Sequence, residues 1–269
     1  MDLRNPELLA ALNTATKYPS IPTYHKFGEK GRLTEELNVI FKGAVIGTEK
    51  IDGTNTRIIL PPGNDYIIGS REELLFSGGD LLYSPNQGIV DTVRGWIDER
   101  LAFLGDLEEE LCGPQTYLRG NAPIVVLYGE SFGARQHGAA WKNYTKDGAD
   151  GMFRLFDIVL IPQVVLEWDK ATIAAWRDAQ KQTWVSYEPF HTYAATIEAK
   201  VAPQVFSIPA DEFPTTLSDT WEFMKDRLQQ SLVARDFDAL RRPEGFVVRT
   251  PSGSKVAKLR FEDYARTLK

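Results

Sequence analysis

The chain has 269 residues, 43% hydrophobic and 25% charged, with a formal net charge of −6 and a pI near 5.3. That is the profile of an ordinary globular protein large enough to bury a substantial core. The acidic balance excludes a generally basic nucleic-acid binder, so any polyanion must meet a local basic patch. A single cysteine, Cys112, rules out an internal disulfide and any CxxC metal spacing. No apolar run approaches a membrane span, and the first residues lack the basic-then-apolar pattern of a signal peptide. A cytoplasmic protein is expected.

In chain order, residues 6–16 predict a short helix with Pro6 in its first turn. Residues 17–33, rich in Pro and Gly, predict a loop. AVIGTEK (44–50), TNTRIIL (54–60) and DYIIGSR (65–71) predict strands, the second closed by Pro61-Pro62-Gly63. Residues 87–104 carry Ile89, Val93, Trp96, Ile97, Leu101 and Leu104 at helical spacing. IVVLYGES (124–131) and FRLFDIVLI (153–161) predict buried strands. From about 162 to 240 the pattern is mainly helical. Asp169 is a candidate cap for a helix to about Lys181, and Leu217–Phe237 reads as another, with Trp221, Met224, Leu228 and Leu232 on one side. EGFVVR (244–249), TPSGS and KVAKLR (255–260) predict a β-hairpin. The expected class is α+β, with antiparallel sheets flanked by helices and a helical insertion. It is read as one unit over 1–269.

The chemistry concentrates in TEKIDGTN, residues 48–55. A lysine at a strand end can point into a cleft while packing holds it, and a following glycine lets backbone pass close to a neighbour. A lowered pKa makes an amine nucleophilic. A carboxylate two residues on, with a divalent cation, equips the site for attack on a phosphate. Alone, K-x-D-G equally describes a strand–turn–strand with a surface ion pair. Along each hairpin strand, residues two apart share a face. Lys258 and Arg260 therefore point one way, and Glu244, Phe246 and Val248 share a face. A basic pair aimed at a cleft would neutralise phosphates and lower the pKa of Lys50 by like-charge repulsion.

TEKIDGTN resembles motif I of the covalent nucleotidyltransferases: the ATP-dependent DNA and RNA ligases and the capping enzymes. Five further segments resemble the motifs that follow in that superfamily. They are GSR (69–71), LYGESFG (127–133), FRLFDIVL (153–160), EGFVVR (244–249) and KVAKLR (255–260). The resemblance spans residues 48–260. It implies that Lys50 is the nucleophile, forming lysyl-AMP from ATP. AMP then passes to a 5′-phosphate, and a 3′-hydroxyl attacks the activated end. By the same resemblance Asp52 and Glu244 would hold magnesium or manganese, mainly through water. Glu49 would read the adenine edge, Glu130 would bind a ribose hydroxyl, and Phe156 would stack on the base. Arg71 would bind ribose or phosphate, and Asn55 would join the nucleotide site. Lys258 and Arg260 would neutralise the phosphates. Arg260 stands where the family has a second lysine, and Lys255 is an alternative partner in that motif.

EKIDGTN, LYGESFG and RFEDY (260–264) resemble the branch of RNA ligases that seals nicks. RNA or mixed RNA/DNA ends and nicks are the implied substrates, RNA repair the implied role, and an end-healing enzyme or accessory protein a possible partner. A minimal DNA ligase is the alternative; a non-catalytic nucleotide- or RNA-binding protein is a third reading. Nine residues follow the last motif, so no C-terminal OB or helical domain is evident.

Overall fold

The computed structural model describes residues 4–63, 65–77, 79–82, 88–113, 122–235 and 238–269. Two antiparallel sheets carry the fold. The larger is built from β4 (Thr54–Leu60), β5 (Ile67–Ser70), β6 (Leu74–Ser77), β7 (Asp80–Leu81), β8 (Ile124–Phe132), β9 (Met152–Ile161) and β10 (Thr183–Trp184), in the order β10-β9-β8-β4-β5-β6-β7. The smaller has the order β11-β3-β12-β13, from β3 (Ala44–Lys50), β11 (Gln204–Pro209), β12 (Gly245–Arg249) and β13 (Val256–Arg260). β1 (His25–Phe27) and β2 (Leu33–Leu37) form a separate pair.

Strand alternation decides what covers each face. On one face of the large sheet Ile58, Leu60, Val125 and Leu127 pack with α2 (Ile89–Asp98), α3 (Leu101–Cys112) and α5 (Tyr187–Thr196). On the other, Ile59, Val126 and Tyr128 pack with α1 (Pro6–Ala15) and α4 (Lys170–Asp178). The small sheet turns Val45, Phe246, Val248 and Leu259 towards α6 (Leu217–Arg227) and α7 (Phe261–Leu268). Its opposite face looks into the cleft between the sheets.

Local signals explain most boundaries. Asn5 caps α1 by accepting N–H bonds from Glu7 and Leu8, with Pro6 at the start, and Asp169 caps α4 through Ala171 and Thr172. Strands β3 and β4 have the predicted bounds. Four expectations change. The loop at 17–33 contains β1 and reaches β2. The run at 87–104 is two helices, broken at Glu99 and Arg100, and Gln87 lies outside the described residues. The helix expected from Asp169 to Lys181 ends at Asp178. The helix from Leu217 stops at Arg227; Leu228 is buried after it, Leu232 is exposed, and the expected end at Phe237 lies outside the described residues.

Among its described residues the 162–240 segment, expected to be mainly helical, supplies α4, α5 and α6 together with β10 and β11. Between them it joins the sheets: Leu155 N–H donates to Lys200 O at 2.9 Å, Ala202 N–H to Leu155 O at 2.8 Å, and Glu49 N–H to Pro203 O at 2.9 Å. A second join is ionic. Arg249 of β12 forks onto Asp157 of β9, Nη1–Oδ1 2.5 Å and Nη2–Oδ2 2.9 Å, both side chains at most 8% exposed. Tyr18 O–H donates to the same carboxylate at 2.6 Å.

Removing one partner of a buried pair strands the other charge. Asp157→Ala is therefore expected to cost about 3–5 kcal/mol. Urea denaturation would read this as a lowered midpoint; an unchanged midpoint would show that the sheets do not depend on the pair.

Candidate active site

A cavity of about 380 Å³ lies between the sheets. Seven predicted residues line it: Glu49, Lys50, Asn55, Arg71, Glu130, Phe156 and Lys258. Their arrival from distant segments follows from register. Gly245 pairs with both Lys50 and Arg260, and Val247 pairs with both Thr48 and Lys258. Thr48, Lys50, Val247, Arg249 and Lys258 thus share the cleft face. In the large sheet Asn55 lies opposite Glu130. Phe156 is the extra residue of a β-bulge, since Tyr128 pairs with Asp157 while Gly129 pairs with Leu155.

Gly53 fits its site because it has no side chain. A Cβ there would lie 2.3 Å from the Ser131 carbonyl oxygen and 2.9 Å from Phe132 Cβ, so the motif passes directly over β8. Tyr144 fixes the next residue back, its hydroxyl accepting the Asp52 N–H at 2.7 Å. Gly245 serves the other wall. At φ 155°, with a virtual Cβ 1.8 Å from Leu259 O, it allows the chain to turn into β12.

That turn corrects one expectation. Glu244 precedes β12, so alternation does not group it with Phe246 and Val248, which face the core. Its Oε2 lies 2.5 Å from Lys50 Nζ. A second correction concerns the cations. The lysine's direct partner is this carboxylate, not a basic pair. The Lys258 pKa is lowered by burial and then by Arg260, Lys50 and Arg71. Arg260 is near, but its fork is spent on Asp263, Nε–Oδ2 2.8 Å and Nη2–Oδ1 3.0 Å. It is absent from the cavity lining.

The acids form a surplus around the amine. Burial raises the Glu130 pKa to about 8; Glu244 and Asp52 add to this, while Lys50 and the Gly53 N–H oppose it. Burial also raises Glu244, against the pull of Lys50. Asp52, Glu130 and Glu244 are hard oxygen donors suited to magnesium or manganese. Among the described residues no three acidic, His or Cys side chains are grouped to grip an ion directly.

Glu49 is 2% exposed and lies on the edge of the cavity. Its Oε2 accepts the Leu232 N–H at 2.7 Å, and burial raises its pKa against hydrogen bonds from the 231–233 turn. Asn55 Oδ1 is buried without a hydrogen-bond partner, as expected of a group awaiting a ligand. Arg71 is exposed, its Nη2 donating to Ser20 Oγ at 3.0 Å.

Several wall residues were not foreseen. Tyr18, Pro19 and Ile21 come from the N-terminal loop, Ala202 from the segment before β11, and Val247 and Arg249 from β12. Alternation within EGFVVR carried the signal for the last two. Nothing local marks the loop, which is placed by long-range bonds: Lys258 N–H to Pro22 O and Tyr24 N–H to Lys258 O, both 2.9 Å.

An amine with carboxylates and further cations around a cavity of this size has the charge pattern that suits a phosphorylated ligand. The family model for RNA ligases matches residues 43–261; the chain belongs to the RNA ligase family. No curated protein matches it closely enough to serve as a relative. Solved structures of an RNA ligase from Naegleria gruberi share the fold. The form with PPi has a TM-score of 0.55 and 12% identity, over 94% of this chain and 58% of that one. A variant with ATP and Mn has 0.54 and 14%, over 95% and 62%. A variant with AMP and Mn has 0.51 and 13%, over 92% and 63%. The chain spans about three fifths of the length of those ligase chains.

A pH test isolates Glu130. Folding raises its pKa from 4.5 to about 8, so the folded state holds a proton that the unfolded chain has released. The resulting stabilisation is complete below about pH 4.5 and is lost as pH rises to about 8. The lowered imidazoles of His25, His137 and His191 act oppositely, but below their ordinary 6.5. Between pH 6.5 and 8 the urea midpoint of ligand-free protein should therefore fall more steeply in wild type than in Glu130→Gln. Identical slopes contradict the assignment.

Proposed function

We propose that this protein is an ATP-dependent RNA ligase that joins a 5′-phosphate to a 3′-hydroxyl through lysyl-AMP and polynucleotide-adenylate intermediates. The observation that carries the reading is the position of the Lys50 amine. It is held by Glu244 beside a cleft whose wall includes Glu130, Phe156 and Lys258. Membership of the RNA ligase family and the fold shared with ligase structures holding ATP, AMP and PPi support it.

The residues divide the work by position. Lys50 attacks the α-phosphorus of ATP once its proton has left. The N–P bond forms as the bond to pyrophosphate breaks, and Lys50 carries AMP. Glu244, already hydrogen-bonded to the amine, holds it in line. Phe156, turned inwards by its bulge, stacks on the adenine face, and Glu49 reads the base edge. Glu130 and Asn55, adjacent across β8 and β4, bind ribose hydroxyls. Lys258 neutralises phosphate oxygens. Arg71, at the rim, serves the later steps, where AMP moves to the 5′-phosphate and the 3′-hydroxyl displaces it. Arg260 orders the chain after β13 through Asp263 and adds positive potential behind Lys258. Asp52 and Glu244 would hold a divalent cation largely through water, which when bound neutralises charge on the phosphate oxygens. Repair of nicked RNA in the cytoplasm is the role this chemistry suits, with an end-healing enzyme or accessory protein supplying 5′-phosphate ends.

Incubation with radiolabelled ATP and magnesium, followed by denaturing electrophoresis, tests the reading. Wild type should carry covalent AMP and Lys50→Ala none. Glu244→Ala should weaken labelling on the order of 10- to 100-fold, whereas Arg71→Ala should impair sealing of pre-adenylylated RNA more than labelling. Wild type that stays unlabelled after pyrophosphatase treatment would overturn the proposal; sealing confined to DNA 3′-hydroxyl strands would replace it with the DNA ligase alternative.

A further inference from the structure

Tyr18 and Arg71 have two sides. One lines the nucleotide cavity, and the other lines a second cavity of about 420 Å³. Four cations converge there: Lys17 from the end of α1, Arg71 after β5, and Lys170 and Arg177 from α4. In α4 Lys170, Ala174 and Arg177 stand at i, i+4 and i+7, so one helix face presents both charges, with the small alanine keeping the floor open. This concentration is notable in a chain of net charge −6.

Two acids share the wall, Glu72 and Asp178. Lys17 Nζ lies 2.8 Å from Glu72 Oε2, and Arg71 Nε lies 3.7 Å from Glu72. Arg177 pairs with Asp178 at 2.8 Å and donates from Nη1 to Thr14 O at 2.9 Å. Among the described residues Lys170 pairs with no carboxylate. The local balance of four cations against two acids, +2, is spread over the cavity. That suits phosphodiester groups, each carrying one charge at separate points. It suits compact, highly charged pyrophosphate poorly, because Glu72 and Asp178 would repel it.

We propose that this cavity holds the sugar–phosphate backbone of the RNA strand whose 5′-phosphate is activated next door, with Arg71 as the shared post. The inference rests on the ligase reading for its substrate class. It supplies the local basic patch that an acidic chain needs in order to hold a polyanion.

The probe is a fluorescent single-stranded RNA with a 5′-phosphate, read by anisotropy across a salt series, with Lys50 labelling from ATP followed in parallel. Lys17→Glu and Lys170→Glu should each weaken RNA binding about tenfold and lower the salt slope by about 1, with labelling within about twofold of wild type. Lys170→Arg should retain binding, and unchanged urea midpoints exclude misfolding. RNA binding and slope unchanged by both reversals overturn the groove while leaving the ligase reading intact, as does a loss that falls on ATP or pyrophosphate instead. RNA binding that depends on these lysines in a protein that never labels Lys50 would support the groove and sink the ligase reading.

Discussion

The Asp157–Arg249 pair is the constraint on which the site's shape depends. Asp157 follows the bulged Phe156 on β9, and Arg249 sits two residues beyond Val247 on β12. Closing the fork at 2.5 and 2.9 Å therefore fixes the gap between the wall carrying the aromatic ring and the wall carrying Lys50 and Lys258. A hydrophobic contact would hold the sheets together over a range of offsets. A bidentate guanidinium–carboxylate pair accepts one geometry. Tyr18 completes it by binding the same carboxylate and meeting Phe156 edge-on, with centroids 5.2 Å apart.

The loop bearing Tyr18 is held from its other end by another buried arginine. Arg57, fully buried, donates to Ser70 O, Asn13 O, Asn13 Oδ1 and Thr16 Oγ1 at 2.6–3.0 Å. Every acceptor is neutral, so Arg57 tethers the C-terminal end of α1 to β4 and β5 by hydrogen bonds. From there the chain runs through Lys17 and Tyr18 along both cavities. One tether thus positions a wall that neither sheet supplies.

What could be read from the sequence was what local rules govern. β3 and β4 were legible because apolar residues, a lysine and a close-approach glycine delimit them. The cap at Asp169 acted where its side-chain oxygen could reach free N–H groups. Ordered motifs picked out the seven candidate residues that line one cavity. What stayed hidden depends on pairs far apart in sequence. Asp157 and Arg249 are 92 residues apart, and no periodicity links them. Glu244 escaped alternation because Gly245 ends the strand's regularity at that point. Arg260 has the spacing to share a face with Lys258, but Asp263 at i+3 captures its fork, a competition visible only once the start of α7 is in place. The strands within 162–240 were obscured because short edge strands such as Thr183–Trp184 carry little pattern of their own.

The charge layout explains how an acidic chain can prepare a site for polyanions. In the absence of ligand, burial first and neighbouring carboxylates after it drive Glu130 and Glu244 towards their neutral forms, against the pull of Lys50. A cation entering beside Asp52 and Glu244 would relieve that strain and release protons; a nucleotide alone would meet repulsion. Across the cleft the charges have the opposite sign: burial first, and then Arg260, Lys50 and Arg71, depress Lys258, and a phosphate placed among them would relieve the repulsion. Each half of the cavity is thus electrostatically unfavourable by itself and becomes favourable when metal and phosphate arrive together. Under the proposed ligase reading, that coupling would favour a metal-bound nucleotide over either component alone.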